Sequence, residues 1–309
     1  MKYLATCAII LALCFMTSCK SHKPKQEFYI SQNAMSKPAY LETSDSIWLN
    51  IPNLNWDKYT AGVDRVGWCG EASIQMIALY YGFYHSQKFI NQTGNPKHLD
   101  LYSDEIDGVM RKLGFKYSRY LNQPTDNLEN YLQWMKEHLK QQNPIFSGVK
   151  RNPTGNPGWS LDHFVVVVGF GNDYINYNSN NHLYGQVKVN ESLFKSSSKP
   201  YTLKNPFNSY FGFSVNSVAL PNVHKSDIKP TRLFVLGETE EKVDIGIQAQ
   251  ELIVGSEYAI IRKTLNIDSN QHVEEVFKTF VATENTMSFS DLNLPKHESY
   301  YYGLRLNVS

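Results

Sequence analysis

The run His163-Phe164-Val165-Val166-Val167-Val168-Gly169-Phe170 constrains the fold more than any other stretch of the sequence. Consecutive valines with aromatic neighbours show no polar alternation, so a strand made of them has no face that tolerates water. Such a strand belongs inside a sheet covered on both sides. Gly171-Asn172-Asp173 then turns the chain tightly into a second strand over residues 174–178. Further strands are expected at residues 46–51, 144–149, 185–189 and 210–220.

Upstream of this sheet the period is helical. Behind Gly67-Trp68-Cys69-Gly70, the residues Ala72, Met76, Leu79, Tyr80 and Phe83 recur at three- and four-residue steps. That spacing predicts one buried helical face, with Cys69 in the first turn. A second helix is expected over residues 103–114, and a third over 127–142, where Leu128, Tyr131, Leu132, Met135 and Leu139 share a face ahead of Asn143-Pro144. Residues 86–102, with Gly94-Asn95-Pro96, read as a loop. Helices followed by an antiparallel sheet give an α+β domain over residues 45–222. Residues 223–309 form the C-terminal part: after a linker near 221–229, residues 230–309 carry no helical period. They offer short strands at 232–236, 243–247, 258–263, 276–281, 287–289 and 300–306, spaced as in a small β-sandwich accessory domain.

Residues 1–18 read as an export signal, with Lys2 ahead of an apolar core over 5–16 too short to span a membrane as a mature helix. Thr17-Ser18-Cys19 resembles a bacterial lipobox, although Met16 stands where leucine is commoner. The expectation is acylation of Cys19, a tether over residues 19–44, and a bacterial cell-envelope protein anchored by lipid to the outer membrane and facing the periplasm. Plain cleavage after Ser18 is the alternative. With Cys7 and Cys14 in the signal and Cys19 lipidated, Cys69 is the only thiol left of four, so no disulfide framework is expected. A formal net charge of +1 carries no nucleic-acid footprint. No metal-ligand spacing, phosphate loop or dinucleotide pattern is present, so no metal or cofactor is expected. The oligomeric state is open.

A thiol nucleophile needs an imidazole to take its proton, and the imidazole needs a group to orient it. Cys69 at a helix start is expected to have a lowered pKa, because the macrodipole and unpaired N–H groups favour the thiolate. His163 is the best-placed histidine, since it starts a rigid strand after polar Ser160 and Asp162. His85, His98, His138 and His182 sit in helix or loop contexts and read as solvated. Asn176 and Asn178 share strand parity, and either could orient the ring. Taken singly, each residue has a plainer reading: a buried small side chain, a strand-end histidine, a polar residue on a half-exposed strand.

Taken together they carry a resemblance. Trp68-Cys69-Gly70-Glu71-Ala72-Ser73, with Met76 and Tyr80-Tyr81-Gly82, resembles the cysteine-helix motif of the papain-like cysteine peptidases. It is most similar to the branch of the double-glycine (bacteriocin-processing) peptidases and their peptidase-like relatives. The stretch 163–170 resembles that branch's histidine strand, and Asn178-Ser179 falls near its usual Asp-Pro. The likeness covers about residues 45–222. It departs where Glu71 replaces the common proline and Asn178 the usual aspartate. No glutamine lies between residues 45 and 68 to complete the oxyanion hole with the cysteine amide. Asn55 stands in its place, while the nearer Asp64 would set negative charge beside an oxyanion. The resemblance implies a Cys69–His163–Asn178 triad that cleaves peptide or protein substrates, with Asn55 as oxyanion donor. The alternatives are an acyl or peptidyl transferase using the same thioester, and a non-catalytic peptide-binding lipoprotein on the same fold. Substrate preference depends on the loops at 86–102 and 151–161.

The anchor is directly testable. Cys19→Ser should move the protein from the membrane fraction to the soluble one on cell fractionation. An unchanged distribution that still requires detergent would remove the lipoprotein reading.

Overall fold

The computed structural model describes residues 29–30, 46–57, 67–155, 157–180, 187–219, 229–266 and 271–307. The expected export signal, Cys19, nearly all of the expected tether, Asp64, His182 and the segment 220–228 lie outside the described residues. Among the described residues no helix is long and apolar enough to cross a membrane.

In the first part the strands are β1 (Tyr29–Ile30), β2 (Ile47–Trp48), β3 (Phe83–Tyr84), β4 (Phe115–Arg119), β5 (Ile145–Val149), β6 (His163–Phe170), β7 (Tyr174–Asn178), β8 (Val187–Asn190) and β9 (Gly212–Val218). The helices are α1 (Cys69–Tyr80), α2 (Gln87–Gln92), α3 (Ile106–Lys112), α4 (Leu128–Lys140) and α5 (Glu191–Phe194). The second part consists of strands β10 (Lys229–Pro230), β11 (Arg232–Glu238), β12 (Lys242–Ala249), β13 (Glu257–Asn266), β14 (Gln271–Val281), β15 (Met287–Pro295) and β16 (Ser299–Leu306).

β6 is the middle of an antiparallel sheet ordered β1-β8-β7-β6-β5-β9-β4, and all eight of its residues are buried. β5 pairs its first half, Val149 opposite His163, and β2 continues that edge with Trp48 opposite Gly169. Both faces are covered by helices. Phe164 packs against the α1 position of Gly70, whereas Ser147, paired with the next residue Val165, meets Tyr131 of α4 through a 2.9 Å hydroxyl contact. This is why the valine run lacks alternation.

α1 follows the expected span, but it is buried all round: all twelve residues are inaccessible, including Glu71, Ser73 and Gln75. The stripe read from the sequence is one side of a helix packed on every side. Gly82, at φ +82°, ends it, and a Cβ there would sit 2.8 Å from the Tyr302 carbonyl. Phe83, expected on the helix, is therefore in strand β3, which pairs with β16. Three further differences have local causes. Residues 86–92 are not loop, because the Ser86 hydroxyl accepts from the Phe89 amide and caps α2. Helix α3 starts at Ile106, since the Glu105 carboxylate turns back to the amides of Asn95 and Tyr102. β4, absent from the sequence expectation, has mostly exposed residues and so carries no apolar pattern.

The strands after residue 229 form two sheets, β10-β16-β13-β14 with β3 added to β16, and β11-β12-β15. Their buried faces share one apolar cluster that also contains Leu79 and Tyr84. Arg232 donates to the Tyr80 carbonyl at 2.9 Å and lies over the Tyr80 ring at 3.3 Å. α1 has no basic residue in its last turn, so this guanidinium supplies the cation its C-terminal dipole favours.

Gly169 tests the pairing at the centre of the sheet. A Cβ there would lie 2.3 Å from the Ile47 carbonyl and 3.0 Å from the Trp48 Cα, both backbone. Gly169→Ala should lower stability by about 1–3 kcal/mol in urea denaturation. Gly108→Ala, in open space on α3, should raise it slightly.

Candidate active site

Cys69 opens α1, with Trp68 as a cap that offers no side-chain bond. The residue is 7 % exposed, and the backbone amides of Phe164 on β6 and of Gly70 favour its thiolate. The helix start thus delivers the donors read from the sequence, but the expected drop in pKa does not follow. Burial is the largest effect and pushes the thiol up to about 12. Phe164 and Gly70 oppose it, and the negative charges of Glu71 and Asp100 add to it. Dipole and amides are outweighed because a thiolate here has almost no water. At neutral pH Cys69 rests as a thiol.

His163, the first residue of β6, is 3 % exposed. Burial takes its imidazole down to about 4; the Arg151 charge adds to the drop, and the Ser179 carbonyl and Asp162 oppose it less strongly. Its Nε2 lies 2.9 Å from the Ser179 carbonyl, and its ring meets Tyr201 edge-on at 5.9 Å. A carbonyl only accepts, so Nε2 carries the proton and Nδ1 is the basic nitrogen. The structure therefore sets Cys69 beside the residue that follows His163, with both groups neutral.

Asn178 does not orient the imidazole. Its amide donates to the Ile51 carbonyl at 2.7 Å and the Pro52 carbonyl at 3.3 Å, and its Oδ1 has no hydrogen-bond partner. It faces the pre-cysteine segment, because strand parity turns its side chain away while the next peptide presents the Ser179 carbonyl. Asn176 lies with its amide over Gly169 instead. Asn55 is half-buried, and its backbone carbonyl accepts from Gln87 at 2.9 Å. Its side-chain amide makes no hydrogen bond among the described residues. The Cys69 amide, the other expected oxyanion donor, is directed to the Gly67 carbonyl. His85, read as solvated, is buried, with Nδ1 2.9 Å from the Ser299 hydroxyl.

The residue that joins these parts is Asn180, which the sequence reading did not single out. Its Nδ2 lies 2.8 Å from the Phe164 carbonyl, 3.2 Å from the Ser73 hydroxyl and 3.3 Å from the Cys69 carbonyl. Its Oδ1 accepts from the Trp56 indole at 2.8 Å, and its own amide donates to Asn53 Oδ1 at 2.9 Å. Asn180 has φ +49°, a left-handed conformation that asparagine tolerates. In Asn178-Ser179-Asn180 a left-handed Asn after a strand was the one legible signal, and it reads as a turn. A second group, Gln87, takes the Asp57 amide on its Oε1 and donates to the Asn55 carbonyl and to Gln75 Oε1.

Glu71 is wholly buried two residues beyond the cysteine. Its Oε1 accepts from Asn91 at 2.8 Å and from the Leu101 amide at 3.0 Å, clasping that loop to α1, while Oε2 has no partner. Among the described residues no three His, Cys, Asp or Glu side chains are grouped to hold a metal ion.

A cysteine heading a buried helix, set against a histidine-bearing strand of an antiparallel sheet, belongs to the α+β architecture of the papain-like cysteine peptidases. The chain belongs to the Peptidase_C39 like family, whose model matches residues 48–212. No curated protein matches it.

Glu71 gives the site a pH signature. Burial holds its carboxyl at about 7 rather than 4.5, so the folded state binds the extra proton between those values. Stability therefore falls as pH rises from about 4.5 to about 7 and is level above. His163 and His85, both held at about 4, act oppositely: the unfolded state binds more protons, and stability falls as pH drops from about 6.5 to about 4. Glu71→Gln removes only the first contribution. Relative to wild type it should gain about 3 kcal/mol between pH 4.5 and pH 8, read from urea midpoints at each pH.

Proposed function

We propose that the protein is an exported, lipid-anchored thiol hydrolase that cleaves peptide bonds, with Cys69 as nucleophile and His163 as its base. The observation that supports this most is the Asn180 amide, 3.3 Å from the Cys69 carbonyl and 2.8 Å from the Phe164 carbonyl, which ties the head of α1 to the residue next to His163. In this reading Cys69 Sγ attacks the scissile carbonyl as its proton passes to His163 Nδ1. His163 then returns that proton to the leaving amine, and water hydrolyses the thioester. Because the resting groups are neutral, proton transfer accompanies attack and does not precede it. The Ser179 carbonyl holds the imidazolium N–H, the role first read onto Asn178. Asn55, whose side-chain amide is not spent on structure, supplies an oxyanion donor.

The finer reading places the enzyme nearest the double-glycine peptidase branch, in the bacterial envelope, anchored through Cys19 to the outer membrane and facing the periplasm. It divides the chain into the signal (1–18), the tether (19–44), the peptidase domain (45–222) and a β-sandwich accessory domain (223–309). An added amine acceptor separates hydrolase from transferase by product.

Asn55→Ala should lower kcat by about a hundred- to a thousandfold with KM little changed, on a peptide substrate whose turnover is lost in Cys69→Ala. Turnover that persists in Cys69→Ala would remove the thiol mechanism. A lowered melting temperature with kcat preserved in Asn55→Ala would remove Asn55 from the site.

A further inference from the structure

The pre-cysteine segment 53–57 is pinned from the site side at nearly every residue. Asn53 holds the Asn180 amide, the Leu54 amide points to Met76 Sδ at 3.2 Å, and Gln87 takes the Asn55 carbonyl and the Asp57 amide. The Asp57 carboxylate faces the other way. It lies 2.9 Å from Lys296 Nζ, and the two side chains are 2 % and 1 % exposed. Lys296 sits in the turn between β15 and β16, 239 residues along the chain. Its ammonium also reaches the Thr239 carbonyl at 3.2 Å and Glu238 at 3.2 Å. Its backbone is fixed at both ends, the amide to the Glu241 carbonyl at 2.8 Å and the carbonyl to the Tyr84 hydroxyl at 3.1 Å.

We infer that Lys296 is a positioning residue for the candidate oxyanion segment, so that the C-terminal strands complete the site rather than accompany it. An ammonium and a carboxylate withdrawn from water persist only when paired and hydrogen-bonded. Here the pair is held by a turn whose own backbone is bonded on both sides. Lys296 therefore dictates where Asp57 can sit, and Asn55 lies two residues away on a segment with no regular hydrogen-bonding partner strand. Without the ammonium, position 57 loses its tie to the turn between β15 and β16 and the segment moves, whether the side chain there is a carboxylate or an amide. That movement pulls the Asp57 amide from Gln87 and shifts Asn55. Displacements near 1 Å at a catalytic group cost about a hundredfold in rate. The family match ends at residue 212, so the strut comes from outside the matched region.

The catalytic half of this inference rests on the hydrolase reading above, and the experiment separates the two. In the full-length chain, Lys296→Met is compared with the double variant Asp57→Asn/Lys296→Met, which removes both charges of the buried pair and should recover most of the melting temperature. In both, amide hydrogen exchange at positions 54 and 57 should quicken at least tenfold, while the β13 amides of the double variant keep wild-type protection. On a fluorogenic peptide-amide pool, kcat should fall by about ten- to a hundredfold with KM within about threefold. Wild-type exchange at position 57 in the double variant, or wild-type kcat there, would overturn the inference and leave the pair a matter of stability alone. If the wild-type chain shows no Cys69-dependent turnover, the hydrolase reading fails, and exchange at positions 54 and 57 still decides whether Lys296 positions the segment.

Discussion

A helix buried on every side has no solvent face on which to leave polar side chains, and α1 carries three that are buried with it. Each must find its partner inside the protein, since an unmet buried polar group costs about 1–3 kcal/mol. Those partners organise the molecule. Glu71 draws in Asn91 and the Leu101 amide, Ser73 draws in Asn180, and Gln75 accepts from Gln87 while donating to the His85 carbonyl at 2.8 Å. Through these contacts one helix gathers the loop beyond α2, the end of β7, the pre-cysteine segment and, by way of His85 and Ser299, the last strand. The cysteine at its head is thereby surrounded by elements distant in sequence.

The same burial sets the electrostatics of the site. Water is what stabilises a thiolate or an imidazolium, and its exclusion raises Cys69 and lowers His163 more than the local dipoles and amides compensate. Glu71 and Asp100 reinforce the neutral state of the thiol. A closed site of neutral groups resists adventitious oxidation of Cys69, because the thiolate is the reactive form.

The two ends of α1 are handled by different parts of the chain. Its N-terminus meets β6 and Asn180. Its C-terminal carbonyl takes the Arg232 guanidinium, and the chain then passes at once into β3, beside β16. The sheets after residue 229 thus reach the cysteine helix by a strand pair, a cation at the helix end and the Asp57–Lys296 pair. A helix so clamped has little freedom to shift Cys69 relative to β6.

Much of the local structure was legible in the sequence. The unbroken valine run required a two-sided central strand, helical spacing placed α1 and α4, and the position of Cys69 at a helix start followed from Gly67 to Gly70. The short strands after residue 229 followed from the lack of a helical period and from their spacing. What sequence could not carry was which polar groups meet across long separations. Strand parity put Asn178 near His163, but a side chain and the following peptide face different ways, so Ser179 presents the carbonyl. Asn180, Gln87 and Lys296 have no periodic signature, because each acts through one side chain at one place. The sign of the Cys69 shift was likewise beyond the sequence: a helix dipole is local and can be read along the chain, whereas desolvation depends on everything packed around the sulfur, and only the tertiary structure decides it.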